Sequence, residues 1–376
     1  MLGQADPFKI YFGDLATKVS EDISKSILSA RVSYSTKMVT EITLEIFDSG
    51  FKFGANNYFN IGRDVLFVTK SIRSVTPLND MTISVGFRAL KMEVADITVS
   101  QSQGVNPIWQ VKCRTKAIQQ MKRDKKSGSF PNTNGTEFVK QAARKYGLDF
   151  VGEVTTKSKN ITKASGTQQA DSLWSVIQNL ASQAQFECFE VDGVLYFASM
   201  KWLMHKWGSH SMTFDKKIKD TTTGRTKTTK VLHRFVPLVP GSTGQDFETM
   251  SIPEMHKGDN DPLEANGSAN IARASGVVLR PGMTVFVGGI PTFVGYYLIT
   301  AVDYEELSPD PVSITFATPE RDPKVKITGL QVGAMYPQTG DPAGPDVLMP
   351  YLLGRSGKLV TETGPPWSIP GLGPKS

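Results

Sequence analysis

Four histidines, His205, His210, His233 and His256, and two cysteines, Cys113 and Cys188, are the side chains with which this chain would hold a transition metal or pair a nucleophile with a base. Zinc draws three or four nitrogen or sulfur ligands together, and sequences usually announce it by ligand pairs a few residues apart. No histidine pair here has HxH or HxxxH spacing, and both cysteines lie far from every histidine. Asp259, Asp261 and Glu264 crowd one stretch without the spacing of a calcium loop, which predicts an exposed acidic loop. The GxSxG turn of serine hydrolases and the glycine-rich phosphate loops are absent, and Gly288-Gly289 reads as a tight turn between short strands. The expectation is a chain with no catalytic, cofactor-binding or metal-binding residues and no cofactor, hence not an enzyme.

Binding chemistry is the next candidate. The net charge is +6 and the isoelectric point about 9.1, but 42 basic against 36 acidic residues is a mild excess. Nucleic-acid modules concentrate such charge on one face. The densest runs, Lys116 to Lys126 and Lys216 to Lys230, lie in turn-like sequence and read as solvated loops. Trp202 and Trp207, with His205 between them, are spaced so that on a strand they face opposite sides, which suits packing or subunit contact better than a base-stacking platform. Together with Trp174 and Trp367 they motivate an alternative reading, a cell-wall polysaccharide-binding or degrading module. A basic nucleic-acid binder is a third, and it predicts an affinity that falls steeply with salt.

Most of the chain is written in strand grammar. Residues 271 to 319 alternate apolar runs with turn signals: Val277 to Leu279, Pro281-Gly282, Met283 to Val287, Tyr296 to Asp303, Pro309 to Pro311, Val312 to Phe316. Residues 30 to 112 share that grammar, with strands over Arg31 to Val39, Glu41 to Phe47, Asp64 to Val68, Thr82 to Gly86 and Lys91 to Ser100, and a turn at Asp48-Ser49-Gly50. Between the blocks helical periodicity appears. Asn134 caps a helix whose apolar face is Phe138, Val139, Ala142, Ala143 and Tyr146, and Gly147 stops it. A second helix starts near Asp171 with Leu173, Val176, Ile177, Leu180, Ala181 and Ala184 as its stripe. Phe186 to Val191, Asp192-Gly193 and Val194 to Ala198 then spell a hairpin with a type I′ turn, which the preceding helix can cover. Residues 200 to 270 hold a Thr- and Lys-rich stretch, Thr221 to Thr229, that reads as the tip of a long hairpin flanked by Met212 to Phe214 and Val231 to Val236; Phe247 to Ile252 is a further strand. The end of the chain, 331 to 376, is too rich in Pro and Gly for a helix or a central strand. It still carries Val347 to Leu353 and Trp367, so it reads either as a solvated linker or as an arm that docks on a neighbour.

The fold class read from this pattern is mainly β with an inserted α+β module, the two β blocks being tube-like β-barrel domains. The boundaries are 1–112 for the first barrel, 113–200 for the inserted domain, 201–325 for the second barrel with its long basic loop, and 326–376 for the Pro/Gly-rich arm. A length of 376 residues accommodates that many units. Two unpaired cysteines without a framework predict buried free thiols. The first residues lack a basic stretch followed by an apolar run, and no stretch reaches the length of a membrane span, so a chain made in a cytoplasm that inserts in no membrane is expected.

With these pieces in order, the sequence resembles the tail hub proteins of bacteriophages, the group of baseplate hubs and late control protein D. Arg31 to Phe47 followed by Ile61-Gly62-Arg63-Asp64-Val65 is similar to the opening of the family's first tube barrel. Ser172 to Ala181 with Asp192-Gly193-Val194-Leu195-Tyr196-Phe197 is similar to its helix and hairpin between barrels. Leu279-Arg280-Pro281-Gly282-Met283 with Gly295-Tyr296-Tyr297-Leu298-Ile299 is similar to its second barrel.

The resemblance implies a homotrimer in the virion, assembled in the host cytoplasm, whose six barrels form a pseudo-sixfold ring between the tail tube protein and a central spike or tip protein. The tape-measure protein and other baseplate subunits are the further partners implied, and DNA would pass transiently through the lumen, lined by polar residues such as Thr40, Glu41, Thr43 and Glu45. No lysozyme-like or peptidase-like insertion is visible in the sequence.

Overall fold

The computed structural model describes residues 8–13, 15, 17–72, 85–100, 106–125, 128–130, 134–154, 161–163, 171–204, 206, 210–219, 226–238, 254–257, 265–272, 276, 279–287 and 295–317. The Thr-rich tip 221–225, the strand expected at 247–252, Asp259, Asp261, Glu264, Gly288-Gly289, His205, Trp207 and the whole 331–376 arm lie outside them. The fold is mainly β with a smaller α+β portion. The chain forms two compact units, one from residues 1–75, 82–199 and 301–312, the other from 76–81, 200–300 and 313–376.

The first unit opens with β1 (Phe8–Phe12), α1 (Thr17–Lys25), β2 (Ile27–Ser35), β3 (Glu41–Phe47), the short α2 (Lys52–Ala55), β4 (Asp64–Ile72), β5 (Val85–Ser100) and β6 (Ile108–Thr115). The strands form one antiparallel path, β1-β4-β5-β6-β3-β2, and Ala301–Glu305 from late in the chain pair with β2. Alternation does what the pleat requires: Ile42, Leu44 and Ile46 are buried while Glu41, Thr43, Glu45 and Phe47 face the other way, half-buried. The outer edge of β1 is not left open. Ser20 Oγ of α1 accepts from Phe12 N at 3.3 Å and Ser24 Oγ donates to Ile10 O at 3.3 Å, so two helix serines take the place of a neighbouring strand.

Several strand limits differ from the sequence reading. β2 begins at Ile27 and ends at Ser35, because a bulge at Leu28 lets both Ile27 and Ala30 face the core and residues 36–38 bend away. The expected pair of strands ending at Gly86 and beginning at Lys91 is a single strand from Val85 to Ser100, with the irregularity placed at Val94/Asp96 instead. Thr40 belongs to the buried face and not to a polar, outward one.

The α+β portion continues with α3 (Lys116–Arg123), β7 (Gly128–Phe130), α4 (Gly135–Lys145), β8 (Asp149–Gly152), β9 (Ile161–Lys163), α5 (Leu173–Ala184), β10 (Glu187–Val191) and β11 (Val194–Ala198). The Asn134 cap is the one the sequence spelled: its Oδ1 accepts from Glu137 N at 2.8 Å, and at α5 Ser172 Oγ caps by accepting from Ser175 N at 3.1 Å. Asp192 and Gly193 have φ of 53° and 80°, the two positive values a type I′ turn needs. β11 also pairs in parallel with β8, and β7 pairs with β9. The run at Lys116 is a helix and not a loop: Ala117, Ile118 and Met121 recur at helical spacing and are buried, joining Phe138, Val139, Ile177, Leu195 and Phe197 in one core, while Lys116 and Lys122 are half-buried and Arg123 is exposed. Arg123, at its end, makes a bidentate pair with the buried Glu93, one N···O being 2.6 Å.

The second unit holds α6 (Met200–Leu203), β12 (His210–Lys219), β13 (Thr226–Leu238), β14 (Glu254–Lys257), β15 (Ala265–Ile271), β16 (Thr284–Val287), the first part of β17 (Gly295–Glu305) and most of β18 (Val312–Ala317). The long hairpin is present as β12–β13, its ladder running from His210↔Phe235 to Lys219↔Thr226, so Thr226 to Thr229 are strand and not tip. β13 runs parallel to β16, β16 is antiparallel to β17, and β15 lies between β14 and β18. At the turn before β16, Gly282 has φ of 90° and donates to Ile299 O at 2.9 Å. Trp202 sits on helix α6 and not on a strand.

A single buried carboxylate organises the turn after β3. Asp48 accepts at Oδ1 from Phe53 N at 2.9 Å and at Oδ2 from Gly54 N at 2.9 Å and Trp109 Nε1 at 3.0 Å. The ring of Phe59 rests against Phe12, Phe53 and Trp109 with centroids 5.6–6.0 Å apart. An Asp48→Ala chain strands three donors and is expected to lose about 2–4 kcal/mol in urea unfolding. Asp48→Asn, which keeps one acceptor, should lose less; equal losses would mean that the carboxylate is not what holds the turn.

Candidate functional site

The polar groups most deliberately placed in the first unit lie where the β10–β11 hairpin meets the first sheet. Glu190 occupies the middle of a strand whose last four residues are all buried, a position that geometry reserves for apolar side chains. Its carboxyl is fully engaged. Oε2 accepts from Thr115 Oγ1 at 2.5 Å, Oε1 accepts from Gly193 N at 2.6 Å, and the Glu190 carbonyl accepts from Thr40 Oγ1 at 3.0 Å. Tyr34 donates to Asp192 Oδ1 at 3.1 Å, and Asp149 N donates to Gly193 O at 3.0 Å.

Each partner comes from a different element. Thr115 ends β6 and stands at the N-cap of α3, yet its hydroxyl makes no capping bond because it is turned to Glu190. Thr40 precedes β3, Tyr34 is on β2, and Gly193 is the second residue of the I′ turn. The result is a joint that fixes the hairpin on the sheet through charge-assisted and turn hydrogen bonds. Burial pushes the Glu190 carboxyl above its ordinary range, helped by the nearby Asp192 and opposed by the bonds from Thr115, Gly193 and Thr40. Beside the joint lies a cavity of about 390 Å³ whose wall includes Thr40, Met92, Thr115, Tyr146, Glu190 and Asp192.

Two acidic groups at a cavity wall resemble an acid–base pair, but Glu190 spends both oxygens on structural donors and Asp192 holds Tyr34. The arrangement locks elements together. Both cysteines are buried and free; burial pushes Cys113 up to about 12 and Cys188 upward as well, so neither is an activated thiolate. Among the described residues no group of three or more His, Cys, Asp or Glu is placed to hold a metal ion, and no helix is long and apolar enough to cross a membrane.

The aromatic candidates are separated by their surroundings. Trp174 is half-buried on α5 and lines a second cavity of the first unit, whereas the Trp202 ring carries Lys206 Nζ 4.8 Å from its centroid. His256 is exposed on β14, and His210 and His233 lie in the β12–β13 ladder. Glu190 and Asp192 were not among the residues singled out for chemistry. The one signal for Glu190 was a carboxylate inside the apolar run Phe186 to Val191.

No protein-family model matches the chain, and no curated protein matches it. Solved structures similar to it include phage tail proteins and a type VI secretion component. The 43 kDa tail protein of prophage MuSo2 from Shewanella oneidensis is 11% identical, with 84% of this chain and 97% of that one covered at a TM-score of 0.46. The tail protein from Neisseria meningitidis MC58 is 9% identical over 84% and 96%, also at 0.46. The Escherichia coli c3393 protein, a type VI secretion component described as similar to the phage T4 tail proteins gp27 and gp5, is 12% identical over 84% and 77%, at 0.45. At such scores and identities neither detailed geometry nor function transfers.

The joint makes a prediction with a sign. A carboxyl whose folded pKa is raised favours the fold most below the unfolded value of about 4.3, and that contribution is lost as pH rises toward the folded value. Glu190→Gln removes the titration while keeping an acceptor for Gly193, so its melting temperature relative to the parent should climb as pH rises above about 4. A difference that stays flat would show that Glu190 does not carry the burial penalty. Glu190→Ala should cost about 1–3 kcal/mol near pH 4 by stranding the Gly193 N–H, and that cost should shrink as pH rises because the same titration is removed.

Proposed function

We propose that the chain is a structural component of a phage tail, the hub of a tail tip or baseplate, three copies of which form a ring of pseudo-sixfold symmetry joining the tail tube to a central spike or tip. The observation that carries this reading is the presence of two compact, β-rich units in one chain. A threefold assembly of such chains presents six β units, which is the count a sixfold tube requires, and closed rotational symmetry ends the assembly at a ring.

The residues that carry the sequence resemblance occupy the elements it calls for. Arg31 to Phe47 falls on β2 and β3, Gly62 is the turn before β4 with φ of 89°, Ser172 to Ala181 is the capped start of α5, and Gly295 to Leu298 pairs with β16. In this reading 1–112 and 201–325 are the two tube-type barrel domains, 113–200 is the inserted domain, and 326–376 is an arm docking on a neighbouring subunit. The late strand segment Ala301–Glu305, paired with β2, then ties the end of the second block to the first unit's sheet. Because α1 already occupies the free side of β1, pairing between chains would use other edges.

The partners in this proposal are the tail tube protein, the spike or tip, the tape-measure protein and other baseplate subunits, with DNA passing transiently through the lumen during ejection. The location is the virion after assembly in the host cytoplasm, and the role is structural, without a reaction. Light scattering on the purified full chain should give three times the chain mass of 41.2 kDa, and negative-stain images should show threefold rings at the tube end. A species that stays monomeric at high concentration would overturn the proposal.

A further inference from the structure

A cavity of about 520 Å³ in the first unit opens between the bend after β2, the start of β3, the end of β6 and helices α3 and α5. That volume is in the range of small-ligand sites, about 300–1,000 Å³. Three cations stand in its wall, Lys37, Arg114 and Lys122, against one carboxylate, Glu41. Glu41 is already committed to Arg114, whose Nε lies 2.7 Å from Oε2. Lys37 and Lys122 have no ion pair among the described residues. Glu187, next to the wall residue Cys188, feels Lys37, but burial pushes its carboxyl upward.

Lys122 is the informative group. Burial, then repulsion from Arg114, holds its ammonium below the usual lysine range, with Glu41 pulling the other way. The core positions of α3 are Ala117, Ile118 and Met121, so the helix does not need a cation at 122 to pack. A charge kept at a cost to the fold, with a like charge beside it, marks a place built to receive the opposite one. The rest of the wall has a different chemistry. Trp174 is half-buried, Met38 is 66% exposed, and the Gln178 amide is fixed by donating to Cys188 O at 3.1 Å.

We propose that this cavity binds a small organic anion of the uronate class, a carboxylate on a sugar-sized ring, with the carboxylate between Lys122 and Arg114 and one face of the ring against Trp174. A bare inorganic anion would leave the indole and Met38 unused, and a neutral sugar would leave Lys37 and Lys122 uncompensated. A ring that carries its own carboxylate satisfies both halves of the wall. The site is independent of the hub reading, since every group in it belongs to one unit of one chain.

Titration calorimetry on the full chain with D-glucuronate, D-glucose and sulfate tests it. Glucuronate is expected to bind more tightly than either of the others. Lys122→Met should weaken glucuronate about tenfold or more while raising the melting temperature, because it removes a charge the fold does not favour. Trp174→Leu should weaken glucuronate and leave sulfate unchanged. The proposal fails if folded parent protein shows no glucuronate binding through the millimolar range. It also fails if sulfate binds as well as glucuronate and Trp174→Leu is silent, which would make the cavity a cationic patch only. A fall in melting temperature for Lys122→Met would instead make Lys122 a structural group and overturn its assigned role.

Discussion

A carboxyl group kept away from water sets the terms for the first unit. Glu190 sits in a buried strand, and its two oxygens are acceptable there only because Thr115 and Gly193 reach them from β6 and from the hairpin turn. Moving the hairpin on the sheet would leave the buried Glu190 carboxyl without Thr115 and Asp192 without Tyr34, so the joint selects one register. Tyr34 on Asp192 and Thr40 on the Glu190 carbonyl reinforce the same choice from two other elements. The α+β portion is thereby bound to the sheet as part of one compact unit.

The same economy governs the edges. A sheet of strands this long invites further pairing, and the chain answers with its own groups: α1 serines at β1 on one side, Ala301–Glu305 at β2 on the other. At the latter, Glu305 accepts from Ser29 Oγ at 2.8 Å and from the Ala30 N–H, near the bulge, where regular ladder bonds are interrupted. Asp303 likewise accepts from Ser33 at 2.5 Å. Side chains thus finish what the backbone pairing begins, and polar residues in this unit serve placement.

Legibility in the sequence followed locality. The Asn134 cap, the Asp192-Gly193 turn and the alternation of Glu41 to Phe47 each depend on a few adjacent residues, and the structure has them where the pattern put them. Helix α3 was hidden because five basic residues between Lys116 and Lys126 mask a stripe of only three buried positions. Trp202 read as strand because alternation cannot be separated from one helical turn in so short a run. Thr40 looked like a polar residue beside others of its kind, and the acceptor that lets its hydroxyl be buried, the carbonyl of residue 190, lies 150 positions away.

By itself the sequence determined the Asn134 cap, the Asp192-Gly193 turn, the alternating strands and the predominance of β structure, because each is decided by dihedral preference and by periodicity along neighbouring residues. Tertiary structure decided which strands pair, that Ala301–Glu305 returns to β2, that β8 lies parallel to β11, and that Glu190 is a joint and Lys122 a cavity wall. Those outcomes depend on burial and on partners distant along the chain. A carboxylate or an ammonium has the same local pattern whether it ends in water or in a protein interior, and only the fold assigns its solvent.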